Sequence, residues 1–266
     1  MKNISDNNIF NTILLKLREI EVENNVKIPL AIESGSRGWG FASPDSDYDC
    51  RFVYVHKKDW YLSIFDKRDT IEYSADKVFD LNGWDLRKFI FHIIKSNAVM
   101  FEWLSSNEVY IRNEATAALL RELADEFFNP ISVSYHYLSL AEKKYNEIIA
   151  ADNAKLKTYF YVLRPLANLA YIEQYGKQPH MDYFRTLAEI EKEASVAHEI
   201  FRLAELKKIS DESLLVYKNK TIVNYFASEI IRFKEKLKTM VSNKNRNYDY
   251  ADTVFIKIIE MAWENE

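Results

Sequence analysis

Two aspartates that stand two residues apart, Asp47 and Asp49, have the type and spacing of ligands for a divalent metal ion. The residues from 47 to 55 are rich in aromatic and β-branched side chains, which favours an extended strand. Side chains two apart lie on the same face of a strand, so both carboxylates can reach one ion. Because oxygen ligands suit hard cations, the pair predicts a Mg²⁺ or Mn²⁺ site of the kind used in phosphoryl transfer.

A small-residue turn, Ser34-Gly35-Ser36-Arg37-Gly38, comes shortly before these aspartates. The apolar run at 28–33 predicts a short buried strand that leads into the turn. Glycine allows the backbone to approach a phosphate closely, and exposed amides together with a hydroxyl form an anion site. We therefore expect a nucleoside triphosphate to bind at Gly35 and Ser36, with Arg37 assisting.

Three familiar nucleotide- or metal-binding motifs do not fit this segment. A P-loop needs a lysine that the turn lacks, and a dinucleotide fingerprint needs a glycine spacing that Gly35, Gly38 and Gly40 do not have. A calcium loop starting at Asp45 would have Cys50 in place of its glycine and His56 in place of its final glutamate. An ordinary acidic turn remains as an alternative, but it leaves the preceding Gly-Ser turn unexplained.

Taken with later blocks, these motifs resemble the predicted nucleotidyltransferases associated with RNA repair and RNA ligase, within the DNA-polymerase-β-like superfamily. The resemblance spans about residues 28 to 185 and rests on ordered blocks at 35–40, 43–49, 85–89, 95–97, 102–104 and 157–165. It implies a two-metal reaction in which an acceptor hydroxyl attacks the α-phosphorus of an NTP such as ATP and expels pyrophosphate. By family association, an RNA end is the favoured acceptor.

The resemblance also implies a third catalytic carboxylate on a neighbouring strand. Asp80 is our candidate, as metal ligand and as the group that helps to deprotonate the acceptor, since it stands just before the helix predicted at residue 86. Glu72 and Asp85 are the alternatives. Asp85 also has the position of a helix N-cap.

Further nucleotide contacts are predicted on two helices. Lys157, Tyr161 and Arg164 stand at i, i+4 and i+7, which places two cations and a phenol on one helix face. Lysine and arginine bind phosphates, and the tyrosine would stack on a base or bond a ribose. Lys88 is a further phosphate-binding candidate. For all four residues, the alternative is a solvated helix surface.

The chain pattern predicts an α+β protein with two continuous domains. Residues 1–130 would form a small mixed β-sheet nucleotidyltransferase core with flanking helices, and residues 131–266 an all-helical domain that completes the nucleotide and acceptor site. The apolar periodicity places helices at 7–24, 132–150, 154–175, 182–207, 219–240 and 250–263. A further helix begins near residue 86 and carries the apolar positions Leu86, Phe89, Ile90, Ile93 and Ile94.

Composition restricts the class of protein further. The net charge of −4 argues against a wholly basic nucleic-acid surface, although six basic residues lie between 232 and 246. The single cysteine, Cys50, favours a reducing, cytoplasmic setting, and we expect no membrane partner because no apolar run is long enough to span a bilayer.

A non-catalytic nucleotide- or RNA-binding regulator of a repair or toxin-type partner is the alternative function. Oligomeric state is left open.

Overall fold

The computed structural model describes residues 7–74, 78–189, 194–241 and 246–264. The helices are α1 (Asn7–Asn24), α2 (Gly35–Gly38), α3 (Lys58–Tyr61), α4 (Leu86–Ile94), α5 (Ala98–Ser105), α6 (Glu114–Phe127), α7 (Pro130–Ala150), α8 (Leu156–Tyr175), α9 (Tyr183–Glu189), α10 (Ala194–Ile209), α11 (Lys220–Lys238) and α12 (Tyr248–Trp263). The strands are β1 (Lys27–Glu33), β2 (Tyr48–Val55), β3 (Thr70–Ser74), β4 (Phe79–Asp85), β5 (Val109–Arg112), β6 (Asn153–Lys155) and β7 (Leu215–Tyr217).

The main sheet has five strands in the order β3-β4-β2-β1-β5. β1 runs antiparallel to both β2 and β5, β2 runs parallel to β4, and β3 runs antiparallel to β4. This is a mixed sheet, so the predicted α+β class with a small mixed core sheet is confirmed.

The two faces of β2 differ as the alternation of its side chains predicts. Cys50, Phe52 and Tyr54 lie in a buried cluster with Ile13 and Leu17 of α1. The other face begins with Asp49 and Arg51, which are only partly buried, and α4 contacts both β2 and β4. The sheet therefore packs its apolar face against α1 and carries Asp49 on the other, whereas Asp47, which was expected on the same strand, precedes β2.

The chain divides into two compact units that interleave along the sequence. Unit 1 consists of Met1–Gly38, Asp47–Phe128 and Asn245–Glu266, and unit 2 consists of Trp39–Ser46 and Asn129–Lys244. These units differ from the two continuous domains predicted above, although the main change of unit falls at Asn129, next to the predicted boundary. The C-terminal α12 joins unit 1 because its buried face packs against α4 and α6.

Unit 2 is built around α7 and α8, which pack against each other and against α11. Unit 2 was predicted to be all-helical, but it also contains a two-stranded antiparallel ribbon, formed by β6 and β7. The single helix predicted at 182–207 corresponds to α9 and α10, and residues 190–193 lie outside the described residues.

Candidate functional site

The Gly-Ser turn is joined to the aspartate-bearing strand by backbone and side-chain contacts. The N–H of Ser34 donates to the carbonyl oxygen of Asp49 at 2.8 Å. Gly35 has a φ of +57°, and a Cβ at this position would overlap the carboxylate of Asp49. Glycine is therefore required here for two reasons, the left-handed backbone and the close approach of a functional side chain.

Ser36 and Arg37 lie in the short α2 that follows. Ser36 is buried, with 6% of its surface exposed. The Nε of Arg37 donates to the carbonyl oxygen of Asp47 at 3.0 Å, and its guanidinium lies 3.9 Å from the centre of the Tyr48 ring. Arg37 thus fixes the start of β2, and the phosphate contacts predicted for Gly35, Ser36 and Arg37 stay predictions.

The carboxylates of Asp49 and Asp80 meet on neighbouring strands. The parallel register of β2 and β4 aligns Asp49 with Asp80. One nitrogen of Arg51, Nη2, bonds both carboxylates, at 2.8 Å from Oδ1 of Asp49 and 2.7 Å from Oδ2 of Asp80. The side chains of Asp49 and Arg51 are about one-fifth exposed and that of Asp80 about half, so the group is open to a ligand. Asp47 precedes β2 and is exposed.

The alternatives to Asp80 have other partners. Asp85 caps α4 by accepting from the N–H of Arg87 at 2.8 Å, and it accepts from the hydroxyl of Tyr61 at 2.8 Å. Burial raises the pKa of the Asp85 carboxyl to about 6. Glu72 forms an exposed ion pair with Arg68 at 3.2 Å. None of these three contacts involves Asp49, whereas Asp80 bonds the same arginine, Arg51, as Asp49 does.

A carboxylate that the sequence analysis did not select, Glu33, lies directly behind Asp49. Glu33 is fully buried at the end of β1. It accepts from the N–H of Asp49 at 2.9 Å and from the hydroxyl of Tyr110 at 2.5 Å. Burial raises its pKa to about 7. The available signal was an acidic residue at the end of an otherwise apolar strand, immediately before the Gly-Ser turn.

Lys88, on α4, forms its ion pair with Asp69 and not with Asp49 or Asp80. Its Nζ lies 2.9 Å from Oδ1 of Asp69 and 5.2 Å from the centre of the Trp84 ring. These contacts supply both a counter-charge and packing for the lysine. A phosphate-binding role for Lys88 stays a prediction.

Within unit 2, the predicted helix face of α8 lies against the Trp39–Ser46 segment and the loop that contains Glu212. Lys157 donates to Oε2 of Glu212 at 2.7 Å. Tyr161 meets the Trp39 ring edge-on at 5.9 Å, and the Arg164 guanidinium lies 4.0 Å from the centre of the Trp39 ring. Arg164 is 7% exposed, so this face is not the solvated stripe that was the alternative. The nucleotide contacts predicted for it stay predictions.

Glu212 connects that helix face to the Trp39–Ser46 segment. It accepts from the Ser46 hydroxyl at 2.8 Å, and its N–H donates to the carboxylate of Asp45. Although burial alone would raise the pKa of Glu212, the hydrogen bonds from Lys157 and Ser46 outweigh it and lower that pKa. The segment just before Asp47 is thus anchored by charged contacts within unit 2.

The basic cluster late in the chain is largely matched by acids. Arg232 and Lys236 both pair with Glu173, Lys234 pairs with Glu142, and Lys238 pairs with Glu235. Of the remaining two, Arg246 donates to the carbonyl oxygen of Ile94, and Lys244 lies outside the described residues. These pairs favour a balanced helix surface over a dedicated RNA-binding patch.

The donor set around Asp49 fits a hard divalent cation in chemistry. Asp49 and Asp80 present only oxygen atoms, the donors that hard cations prefer, and their two carboxylates lie close enough together to bond one positive charge. Across the described parts of the chain, no three His, Cys, Asp or Glu side chains form a ready metal cluster. The guanidinium of Arg51 provides that positive charge instead.

Among the described helices, none is both long and apolar enough to cross a membrane.

Comparison with known proteins gives three findings. A model of the RNA repair pathway DNA polymerase beta family matches residues 9–257. The uncharacterized protein YcgL of Bacillus subtilis (strain 168) is 38% identical over 253 residues, which cover 95% of this chain and 97% of that protein. A crystal structure of a nucleotidyltransferase-like protein from Exiguobacterium sibiricum 255-15 aligns at 10% identity and a TM-score of 0.32, over 92% of this chain and 79% of that one.

Proposed function

This chain belongs to the RNA repair pathway DNA polymerase beta family, and from that premise we propose that it transfers a nucleoside monophosphate from an NTP to an acceptor hydroxyl. The observation that carries the proposal is the alignment of Asp49 with Asp80 on adjacent parallel strands, beside the Gly35 turn. Two carboxylates beside a tight glycine turn supply sites for a cation and for a phosphate group. The family membership agrees with the resemblance that the residue blocks indicate.

We assign the individual side chains the following roles. Asp47, Asp49 and Asp80 would hold Mg²⁺ or Mn²⁺, which would supply charge neutralisation at the transferred phosphate and acidify the acceptor hydroxyl. Asp80, the more exposed partner of Asp49, accepts the proton of that hydroxyl. The backbone at Gly35 and the Ser36 hydroxyl bind the β- and γ-phosphates. In this arrangement catalysis consists of positioning and electrostatic stabilisation.

Arg51 gives the proposed site a second property. Its guanidinium bonds the same carboxylate oxygens that a metal ion would use. A cation must therefore compete with Arg51, and metal binding without nucleotide is expected to be weak. Charged hydrogen bonds of this kind contribute about 1.5–3 kcal/mol each, enough to lower metal affinity by one to two orders of magnitude.

The acceptor and the setting are proposed more coarsely. An RNA end is the acceptor that the family description supports, and ATP is the first NTP to test. The contacts of the basic cluster at 232–246 do not add support for RNA binding. A cytoplasmic setting remains our proposal, based on the single buried cysteine, Cys50.

Calorimetry with a non-hydrolysable NTP tests the metal-binding part of the proposal. Asp49→Asn should abolish the Mg²⁺-dependent part of nucleotide binding while preserving the fold. Asp69→Asn is the matched control, because Asp69 is a half-exposed carboxylate of the same unit that pairs with Lys88. Equal Mg²⁺ dependence in wild type and Asp49→Asn would refute the role of Asp49.

A second candidate function is a non-catalytic nucleotide or RNA sensor. The specific observation in its favour is that Arg51 already neutralises Asp49 and Asp80. A sensor would bind NTP without releasing pyrophosphate in the presence of any acceptor. The enzyme proposal requires release that is lost in Asp49→Asn.

A further inference from the structure

Glu33 is a buried carboxylate to which the proposed mechanism gives no role. It is fully buried at the last position of β1, where the preceding positions Leu30, Ala31 and Ile32 are apolar and also buried. A buried carboxylate is costly unless donors satisfy it. Its two donors, Asp49 and Tyr110, come from the strands on either side of β1.

The contact with Asp49 replaces a missing ladder bond. The pairing of β1 with β2 ends at Glu33 and Cys50, so Asp49, the residue that precedes Cys50, has no partner in this register. Beyond that point, the Glu33 carboxylate accepts from the Asp49 N–H at 2.9 Å, and the Ser34 N–H donates to the Asp49 carbonyl at 2.8 Å. Both backbone polar groups of Asp49 are therefore held by the two residues that precede Gly35.

This double restraint has a consequence for the Asp49 side chain. With its backbone fixed from one side, the carboxylate is directed along Gly35, where a Cβ would overlap it, and onto Arg51. Replacing a residue that orients a metal ligand through a hydrogen bond typically lowers metal affinity or activity by about 10–100-fold.

We propose that Glu33 is a positioning residue that fixes the Asp49 carboxylate for its role in metal and nucleotide binding, an inference that rests on the proposed function. Glu33 acts through the Asp49 backbone and does not itself touch the substrate. Tyr110 restrains the second oxygen of Glu33, so its loss should affect the orientation of Asp49 less than the loss of Glu33 does.

Four variants separate positioning from simple core stability. Glu33→Gln keeps an oxygen that accepts from the Asp49 N–H, and Glu33→Leu removes it. Glu33→Asp keeps the charge but withdraws the acceptor by one methylene. Tyr110→Phe is the matched control, because it removes the other hydrogen bond to the same carboxylate.

The readouts are Mn²⁺ affinity by electron paramagnetic resonance, measured with a non-hydrolysable NTP, and kcat and KM for nucleotide transfer. Glu33→Leu and Glu33→Asp should weaken Mn²⁺ binding by about 10–100-fold and reduce kcat more than they raise KM. The Mn²⁺ affinities of Glu33→Gln and Tyr110→Phe should stay within about threefold of the wild-type affinity, which is a smaller change than the loss of a typical hydrogen bond would cause.

Each outcome has a defined meaning. Wild-type Mn²⁺ affinity in Glu33→Asp would overturn the positioning role, and this test remains valid if Glu33→Leu does not fold. Equal losses of Mn²⁺ affinity in Tyr110→Phe and Glu33→Asp would also overturn it, because a general loosening of the core around Glu33 would then explain both results. If Asp49→Asn itself binds Mn²⁺ as well as wild type does, the proposed function fails first, whatever the Glu33 variants show.

Discussion

Replacing Gly35 with alanine should damage the site in two separable ways. The residue has a φ of +57°, which costs an alanine about 1–2 kcal/mol. The added Cβ would also overlap the Asp49 carboxylate and force it away from Arg51, with which it forms a 2.8 Å charged hydrogen bond. Loss of such a bond costs about 1.5–3 kcal/mol, so the total is about 2.5–5 kcal/mol.

The chain offers a matched control for the backbone part of this cost. Gly176, which ends α8, has a φ of +62°, but a Cβ there would meet nothing within 4 Å. Gly176→Ala should therefore carry only the backbone penalty of about 1–2 kcal/mol. The difference between the two variants measures the close approach of Gly35 to Asp49.

Hydrogen–deuterium exchange is the suitable assay, because it reports local stability in each compact unit separately. Gly35→Ala should increase exchange around β1 and β2 and also eliminate Mg²⁺-dependent NTP binding. Gly176→Ala should increase exchange near the end of α8 and leave that binding unchanged. If Gly35→Ala resembles Gly176→Ala in size and binds NTP normally, the packing of Gly35 against Asp49 is refuted.

Three further changes have defined outcomes. Lys157→Ala removes the 2.7 Å hydrogen bond to Glu212 and should increase hydrogen–deuterium exchange around residue 212, and unchanged exchange there would show that this bond does not anchor the loop. Burial lowers the pKa of His56 in the folded protein from 6.5 to about 4. Between these two pH values the unfolded chain binds a proton at His56 that the folded chain does not, so the free energy of unfolding falls as the pH drops through this range. His56→Phe keeps the ring stacked 3.9 Å from Trp60 and should flatten that fall in urea titrations; an unchanged pH slope would contradict the assignment. Asp85→Ala removes a helix cap and the acceptor of the Tyr61 hydroxyl, so it should cost about 2–4 kcal/mol in thermal unfolding, whereas a loss of Mn²⁺ binding at full stability would restore Asp85 as a ligand.

Much of the fold could be predicted because its signals are local. The apolar periodicity of α1 gave its bounds, 7–24, and the alternation along β2 separated Asp49 and Arg51 from the buried Cys50, Phe52 and Tyr54. The helix predicted to begin near residue 86 is α4, and the apolar positions Leu86, Phe89, Ile90 and Ile93 form its buried side. Amphipathic patterns of this kind record which side of an element is buried, so they can be read from one segment at a time.

The remaining features depend on pairings between distant segments. Only the family resemblance pointed to Asp80 on a strand beside Asp49. No local pattern places Arg51 between the two carboxylates or Tyr110 of β5 behind Glu33. The sequence likewise does not show that Trp39–Ser46 belongs to unit 2 or that α12 belongs to unit 1. Such long-range contacts are decided by the packing of whole elements, which a single sequence does not display.

Nucleotide transfer itself is the most direct test of the central claim. The assay incubates wild type, Asp49→Asn and Asp69→Asn with each α-labelled NTP, Mg²⁺ or Mn²⁺, and separate pools of RNA, protein and small-molecule hydroxyls. Wild type and Asp69→Asn should yield labelled acceptor, mainly in the RNA pool, and a matching amount of pyrophosphate, whereas Asp49→Asn should yield neither product. NTP binding without label in any pool would contradict the enzyme and favour the sensor, and label that persists in Asp49→Asn would contradict the proposed site.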